Sequence, residues 1–495
     1  MRKAAGCVSV FFLVLLGGYF GHMAMAAGNN QVAPSSPASG PTARPADKTS
    51  YPCYPNIAYK EKMTVAKGTA MTKQAAECIA CHTDKTPEVV KDWSKSAMAH
   101  AGVSCFDCHS VSKDSPMANQ NCPGVKGTDI YVSSLVSPKT CEKCHPNEVK
   151  QFEQSGHARA AIQAVSQPAD LALVAHEDMN LPEFKDAVFM TGCAQCHGSA
   201  IQMGADHMPT AGSWPIHGIG TVYPDGGVGN CTGCHLNHQF SIAQARKPSS
   251  CGTCHLGPDH PDIEIYKQSV HGMLFEARGA KWHWNSPPGG WQPTADYSAP
   301  TCATCHMSGI NGLQPTHNVD LRLKWNLWAP VSKERTGGYD TAADTYMKTG
   351  KFTEGNPLAG NPKGPEAARK DMLQVCAACH SGQFAKNYLT MADKQVELFN
   401  KYSHAASEMI ETLQKKNLMM KDPWADPAFR TYYYMWHHEG RRMRQGAAME
   451  GPDYSHWHGV FQLQQSLRIL QAIYNQRMKT GKIDYEQVGG VGVGE

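Results

Sequence analysis

Sixteen of the nineteen cysteines fall into eight copies of one pentapeptide, Cys-x-x-Cys-His. The copies are Cys78/Cys81/His82, Cys105/Cys108/His109, Cys141/Cys144/His145, Cys193/Cys196/His197, Cys231/Cys234/His235, Cys251/Cys254/His255, Cys302/Cys305/His306 and Cys376/Cys379/His380. Two thiols separated by two residues can add to the two vinyl groups of one haem, and the next residue, histidine, then lies under the iron as its fifth ligand. Cys-x-x-Cys pairs also build tetrahedral zinc sites. Here a histidine directly follows every pair, and the chain opens with an export signal, so the reading is eight covalently bound haem c groups. Cys53 and Cys122 stand outside the motifs. In an oxidising compartment they read as a disulfide, with two free buried thiols as the alternative.

Each iron has a sixth position to fill. An internal repeat supplies candidates: Phe152-x-Gln154-Ser155-x-His157 and Tyr266-x-Gln268-Ser269-x-His271 each follow a haem motif, and Trp93 to His100 is a looser copy. A short helix after each motif would carry its histidine to a neighbouring iron. His100, His157 and His271 are therefore distal candidates, followed by His238, three residues past His235, and His317, eleven past His306. The scattered methionines read better as packing than as ligands.

The elements that must position these groups show in the composition of the segments. Residues 1–26 have a basic start at Arg2 and Lys3, a short apolar stretch and the small-residue pattern Ala24-Met-Ala26, which describes a cleaved signal peptide. Residues 27–52 are rich in Pro, Ala, Ser and Gly and read as a flexible linker. Residues 53–380, punctuated by Gly, Pro and Cys, lack the side chains for an ordinary core, and eight porphyrins would fill it. In residues 381–482, Ala392, Val396, Phe399, Ala406, Ile410 and Leu413 recur at helical spacing, as do Val460, Leu463, Leu467, Leu470 and Tyr474. Asp426-Pro427 is a cap followed by a first-turn proline, and Gly451-Pro452 separates the last two helices. The fold class is mainly α, a haem-packed multihaem cytochrome c domain with little regular sheet, followed by three long helices whose seams form intrachain core or, alternatively, an oligomer interface. Residues 483–495 are a tail. A net charge of +3 and a charged fraction of 18% exclude a basic nucleic-acid binder and a charged disordered tail protein. No later run reaches the length of a membrane span, so the mature chain is expected outside the cytoplasm with no membrane anchor.

A string of bis-histidine haems only carries electrons; catalysis needs one open iron with acid–base groups beside it. Two segments suit that role. After the sixth motif comes Leu256-Gly-Pro-Asp259-His260-Pro, an acid and an imidazole on a proline-stiffened turn, which could equally be a capping Asp with a surface His. The second is the aromatic run from Tyr432 to Trp436 with the later Tyr454 and Trp457, which either packs or walls a haem pocket.

Eight motifs, Cys231-Thr-Gly-Cys234-His235-Leu-Asn-His238, Cys254-His255-Leu-Gly-Pro-Asp259-His260-Pro and Gly451-Pro-Asp453-Tyr454-x-His456-Trp457-His458-Gly459 together resemble the octahaem hydroxylamine oxidoreductase family, from about Cys78 to the end of the last helix. The resemblance implies seven bis-histidine haems and one open haem on the fourth motif, Cys193, Cys196 and His197. It implies a crosslink from that haem to Tyr454 of a neighbouring subunit in a homotrimer, with Asp259 and His260 as the distal acid–base pair. The substrate so implied is hydroxylamine, oxidised to nitric oxide or nitrite, with hydrazine oxidised to dinitrogen as the alternative. A soluble c-type cytochrome would take the electrons, in a periplasm or an anammoxosome lumen. The rival from another class is a non-catalytic electron-transfer cytochrome, which would need all eight irons closed.

Overall fold

The computed structural model describes residues 72–161, 189–214, 216–258, 260–322 and 365–483. The expected signal peptide and linker, Cys53, Asp259 and residues 484–495 of the expected tail lie outside the described residues. A helical turn brings positions three apart onto one face, which a Cys-x-x-Cys pair needs if both thiols are to meet one porphyrin. Accordingly the motifs fold as short helices, Cys105–His109, Cys193–His197 and Cys302–His306 among them, or close a longer one, as in Pro365–Cys376. Their starts are capped by neighbours in the sequence. The Ser104 amide donates to Asp107 at 2.7 Å, and the Thr301 amide donates to the Thr304 hydroxyl at 3.0 Å.

The chain is mainly helical. Its one sheet among the described residues is a two-residue antiparallel pair, Ser110–Val111 against Tyr131–Val132. Between motifs the repeat has a structural meaning. Trp93, Phe152 and Tyr266 are buried at the end of short helices, and the serine three residues on turns the chain. Ser96 and Ser269 accept from the amides of Ala99 and Gly272, each at 3.0 Å, and so start the next helix.

Three helical rods make up the C-terminal part: Gly382–Lys415, the pair Pro427–Tyr434 and Gly440–Ala448, and the run from Pro452–Ser455 to Gln462–Thr480. Asp426 caps the second rod by accepting from the Ala428 amide at 2.8 Å, with Pro427 in the first turn. The seams expected from periodicity are buried within the chain: Phe399, Ala406, Ile410 and Leu413 pack against Leu463 and Leu470. Each of the last two rods contains a π-helical turn, Met435–Glu439 and His456–Phe461, which lets in one extra residue and rotates everything downstream. Arg477, 1% exposed, pairs with Asp426 at 2.9 Å and ties the last rod to the start of the second. No helix among the described residues is long and apolar enough to cross a membrane.

Candidate haem sites and active site

A metal–imidazole bond of about 2 Å, plus roughly 1 Å from nitrogen to ring centre, spaces two rings on one metal about 6 Å apart. Four motif histidines have a second histidine ring at that spacing. His109 faces His238 at 6.4 Å, His235 faces His317 at 6.4 Å, His255 faces His157 at 6.0 Å and His380 faces His271 at 6.1 Å. Each second histidine follows one motif in sequence but faces the histidine of another, so the pairings interlace distant segments. His260 also lies 6.1 Å from His255, edge-on. Among the described residues no second histidine ring stands at this spacing from His82, His145, His197 or His306, and His100 stands at it from no motif histidine.

Hydrogen bonds at Nδ1 fix several of these rings so that Nε2 is the nitrogen left to bind a metal. His109 Nδ1 bonds to Ser133 O at 2.7 Å, His197 Nδ1 to Ala160 O at 3.1 Å, His100 Nδ1 to Ser96 O at 2.7 Å and His255 Nδ1 to an Asp262 carboxylate oxygen at 2.8 Å. Burial pulls His235 and His306 down to about 4, which keeps both imidazoles neutral, the ligating form. Burial also pulls on His255, but the bond to Asp262 outweighs it and lifts the ring to about 9.

The donor set fits haem rather than a compact metal cage. Among the described residues no three Cys, His, Asp or Glu side chains converge on a metal-ion site. All motif cysteines but Cys144 are free thiols, as is Cys122, so Cys53 and Cys122 do not form the expected disulfide; Cys53 lies outside the described residues. Two of the cysteines assigned to haem, Cys81 and Cys379, are exposed, whereas the other free motif thiols are at least half-covered by the chain. At Cys81 the structure therefore departs from an enclosed attachment site. The physical reason is its place on the helix Lys73–Lys85, which buries only Ala75 and turns the thiol outward, while Cys78 one turn earlier is partly covered. Attachment needs a thiol that a vinyl group can reach, not a buried one, so both cysteines keep their assignment as a proposal.

Large apolar side chains stand exposed beside motif and paired histidines: Leu236, Leu256, Val270 and Met273, with Phe384 stacked 4.9 Å from His380. Buried polar atoms without a partner sit at the motifs too, Asn230 Nδ2 before Cys231 and Ser199 Oγ after His197. Apolar walls with polar orphans at their rims match a porphyrin with its propionates.

Thiol contacts give the order in which motifs adjoin. Three pairs of thiols from different motifs lie close enough to shift one another's ionisation: Cys141 with Cys231, Cys251 with Cys302, and Cys196 with Cys254. The fourth motif thus abuts the sixth. Its helix lies on a bed of glycine backbone: a Cβ on Gly218 would stand 2.2 Å from Gly198 N, and one on Gly220 2.8 Å from His197 O. Only residues without a side chain let the chain run this close beneath the proximal histidine.

The turn after the sixth motif needs Gly257 at φ +86°. It is fastened by Gly257 N donating to Glu264 at 3.2 Å, by Asp262 N donating to His260 O at 2.8 Å, and by Arg442 Nε donating to Pro258 O at 2.6 Å. Tyr454 is half-buried, stacked 5.1 Å from His458, whose Nδ1 lies 3.0 Å from an Asp453 carboxylate oxygen. Burial and the nearby Glu264 carboxylate raise its hydroxyl, and Arg442 pulls it back. Glycines again set the approach: a Cβ on Gly446 would meet Ser455 N at 2.4 Å, and one on Gly451 would meet Ile265 at 2.7 Å. The chain therefore brings His260 and Tyr454 to neighbouring turns that share Arg442 and Glu264. Nothing local in the sequence points to Glu264 or links Arg442 to Pro258, 184 positions away.

Two family models match separate parts of the chain. One, described as seven times multi-haem cytochrome CxxCH, covers residues 226–337 and 359–423; the other, cytochrome c554 and c-prime, covers residues 50–110 and 140–216. A curated relative, the probable nitrite reductase-hydroxylamine oxidoreductase fusion protein of Kuenenia stuttgartiensis, is 28% identical over 365 residues, 61% of this chain. The chain spans about two fifths of that relative, 41% of its length. Among solved structures, a hypothetical multiheme protein aligns with TM-score 0.69 at 24% identity, covering 85% of this chain and all of the other. A Kuenenia stuttgartiensis reducing HAO-like protein complex aligns with TM-score 0.56 at 20% identity, covering 83% and 86%. Cysteine pairs on helical turns, histidines facing one another at axial spacing and the similarity to multihaem cytochrome c families together indicate covalently bound haem c.

Proposed function

We propose that the protein is an octahaem oxidoreductase that oxidises hydroxylamine, to nitric oxide or nitrite, at the haem on Cys193, Cys196 and His197. Tyr454 of a neighbouring subunit in a homotrimer is crosslinked to that haem, and seven bis-histidine haems pass electrons to a soluble c-type cytochrome. The observation that carries the reading is convergence. The fourth motif lies next to the sixth through Cys196 and Cys254, and the turn leading to His260 follows the sixth, so His197 and His260 come from adjoining segments of one chain, while Tyr454 sits half-exposed on a turn open to a neighbouring subunit. His197, like His82, His145 and His306, has no histidine ring opposite it among the described residues, and of these four it is the one beside the sixth motif. Trp457 and Phe461, 57% and 43% exposed, give the Tyr454 turn an apolar edge for a second subunit.

Bound haem supplies an iron for the substrate nitrogen and a sink for its electrons. The chain supplies the rest. Each electron taken on the way to nitric oxide releases one proton, and Asp259 and His260 accept protons at the carboxylate and the imidazole. Such acceptors typically contribute about two to four powers of ten in rate. His238, His157, His317 and His271 close the irons of His109, His255, His235 and His380, and His100, with its Nε2 left to bind a metal, is kept as a distal candidate without an assigned iron.

The test is steady-state oxidation by the holoprotein with a c-type cytochrome acceptor. Hydroxylamine should reduce the acceptor, and Tyr454→Phe and His260→Ala should each lose at least about tenfold. Turnover of hydrazine alone would move the substrate to the alternative. A Tyr454→Phe protein with full hydroxylamine activity would overturn the crosslinked site.

A further inference from the structure

The turn after the sixth motif is held from two sides. On its own side, Glu264 takes the Gly257 amide and the start of helix Asp262–Gln268 takes His260 O. On the other side stands Arg442, on the helix Gly440–Ala448 and 8% exposed. Its guanidinium is bound at two separate points: Nε donates to Pro258 O at 2.6 Å, and Nη1 donates to Gln462 Oε1 at 2.9 Å. Gln462 begins the last long helix, directly after the π-helical turn His456–Phe461; Arg442 follows the other π-helical turn, Met435–Glu439. Each extra residue rotates the downstream helix by about 100°, so both partners owe their facing to these insertions. The peptide unit is planar. A bond to Pro258 O therefore restrains the orientation of the chain two residues before His260.

We propose that Arg442 is a positioning residue for the proposed reaction: clamped on Gln462, it holds the Pro258 carbonyl, and with it the turn that leads to His260, against the helix Gly440–Ala448. This rests on the hydroxylamine oxidoreductase reading and adds a residue that touches neither substrate nor haem in it. Lysine cannot replace a planar fork bonded in two directions, although it keeps the charge.

The experiment compares Arg442→Lys and Gln462→Leu holoproteins with wild type for haem content, cyanide binding, kcat, KM and the solvent deuterium isotope effect with hydroxylamine. A misplacement near 1 Å costs about 10²-fold in rate. Arg442→Lys should lower kcat by roughly ten- to a hundredfold with KM within about twofold, the signature of a contact that matters in the transition state. The isotope effect on kcat should rise, and cyanide should bind the same fraction of haem with the same affinity. Gln462→Leu should move kcat and the isotope effect the same way, by less. Wild-type kcat and isotope effect in folded Arg442→Lys overturn the proposal; if that variant does not load haem, the same result in Gln462→Leu overturns it. A wild-type protein that binds no cyanide and turns over neither hydroxylamine nor hydrazine refutes instead the underlying reading.

Discussion

Replacing Gly446 with alanine isolates the geometry of the Tyr454 turn. Gly446 lies inside the helix Gly440–Ala448, where alanine is the better helix former by about 1 kcal/mol. Its new Cβ, however, would stand 2.4 Å from Ser455 N and 2.8 Å from Tyr454 C, against the 3.4 Å at which ordinary contact begins. Both are backbone atoms, which cannot rotate away. The Tyr454 turn must therefore retreat by about 1 Å, the difference between 3.4 and 2.4 Å. Overpacking costs roughly 1–3 kcal/mol, so the helix gain offsets only part of it and the melting temperature should fall by a few degrees. A rate that depends on Tyr454 placement should fall about 10²-fold. Thermal melts, hydroxylamine turnover and the yield of haem-linked subunits on a denaturing gel read the two effects separately. Gly446→Ala with wild-type turnover and full crosslinking would refute the claim that this turn is placed by close backbone packing.

Three further outcomes are expected. Asp426→Ala removes a helix cap, about 1 kcal/mol, and strands a buried Arg477, about 3–5 kcal/mol; the denaturant midpoint of the holoprotein should drop sharply, and Asp426→Leu with Arg477→Met should recover most of it. Burial pushes the Glu439 carboxyl from 4.5 up to about 7, against the pull of Ser466 and Arg442. Because the folded pKa is the higher one, its contribution is intact below pH 4.5 and lost as pH rises through about 7, roughly 3 kcal/mol in all; Glu439→Gln should flatten that fall in a pH series of melts. His271→Gly should open the iron of His380, adding one carbon monoxide binding site per chain and one high-spin haem signal; an unchanged carbon monoxide stoichiometry would contradict the pairing at 6.1 Å.

The sequence made the local features readable because local physics makes them. A cap-and-proline pair starts the helix at Pro427, 3.6-residue periodicity names the buried faces of the long rods, and Cys-x-x-Cys-His declares its helical turn. The aromatic–Ser–His repeat also has a local cause, a buried ring followed by a serine that caps the next helix. Which histidines come to face one another is not a local property. His157, His238, His271 and His317 each reach a motif other than the one they follow, and sequence distance carries no trace of that. Nor does the motif say how far each thiol is covered: Cys81 and Cys105 hold equivalent chemistry, yet one is exposed and the other partly enclosed. The π-helical turns were likewise illegible, since a single inserted residue leaves the apolar pattern almost intact while turning Arg442 toward Pro258. The glycines at 218, 220 and 446 look like ordinary loop and helix residues until the backbone they touch is in place.

The most direct test of the central claim is a boiled, reducing denaturing gel of purified holoprotein, stained for haem. Thioether-bound haems alone leave each chain running by itself at the monomer position. A covalent bond from Tyr454 to the fourth-motif haem of a neighbouring subunit predicts a haem-stained band near three times the monomer mass, lost in Tyr454→Phe. A single monomer band from the wild-type protein would contradict the crosslinked catalytic haem.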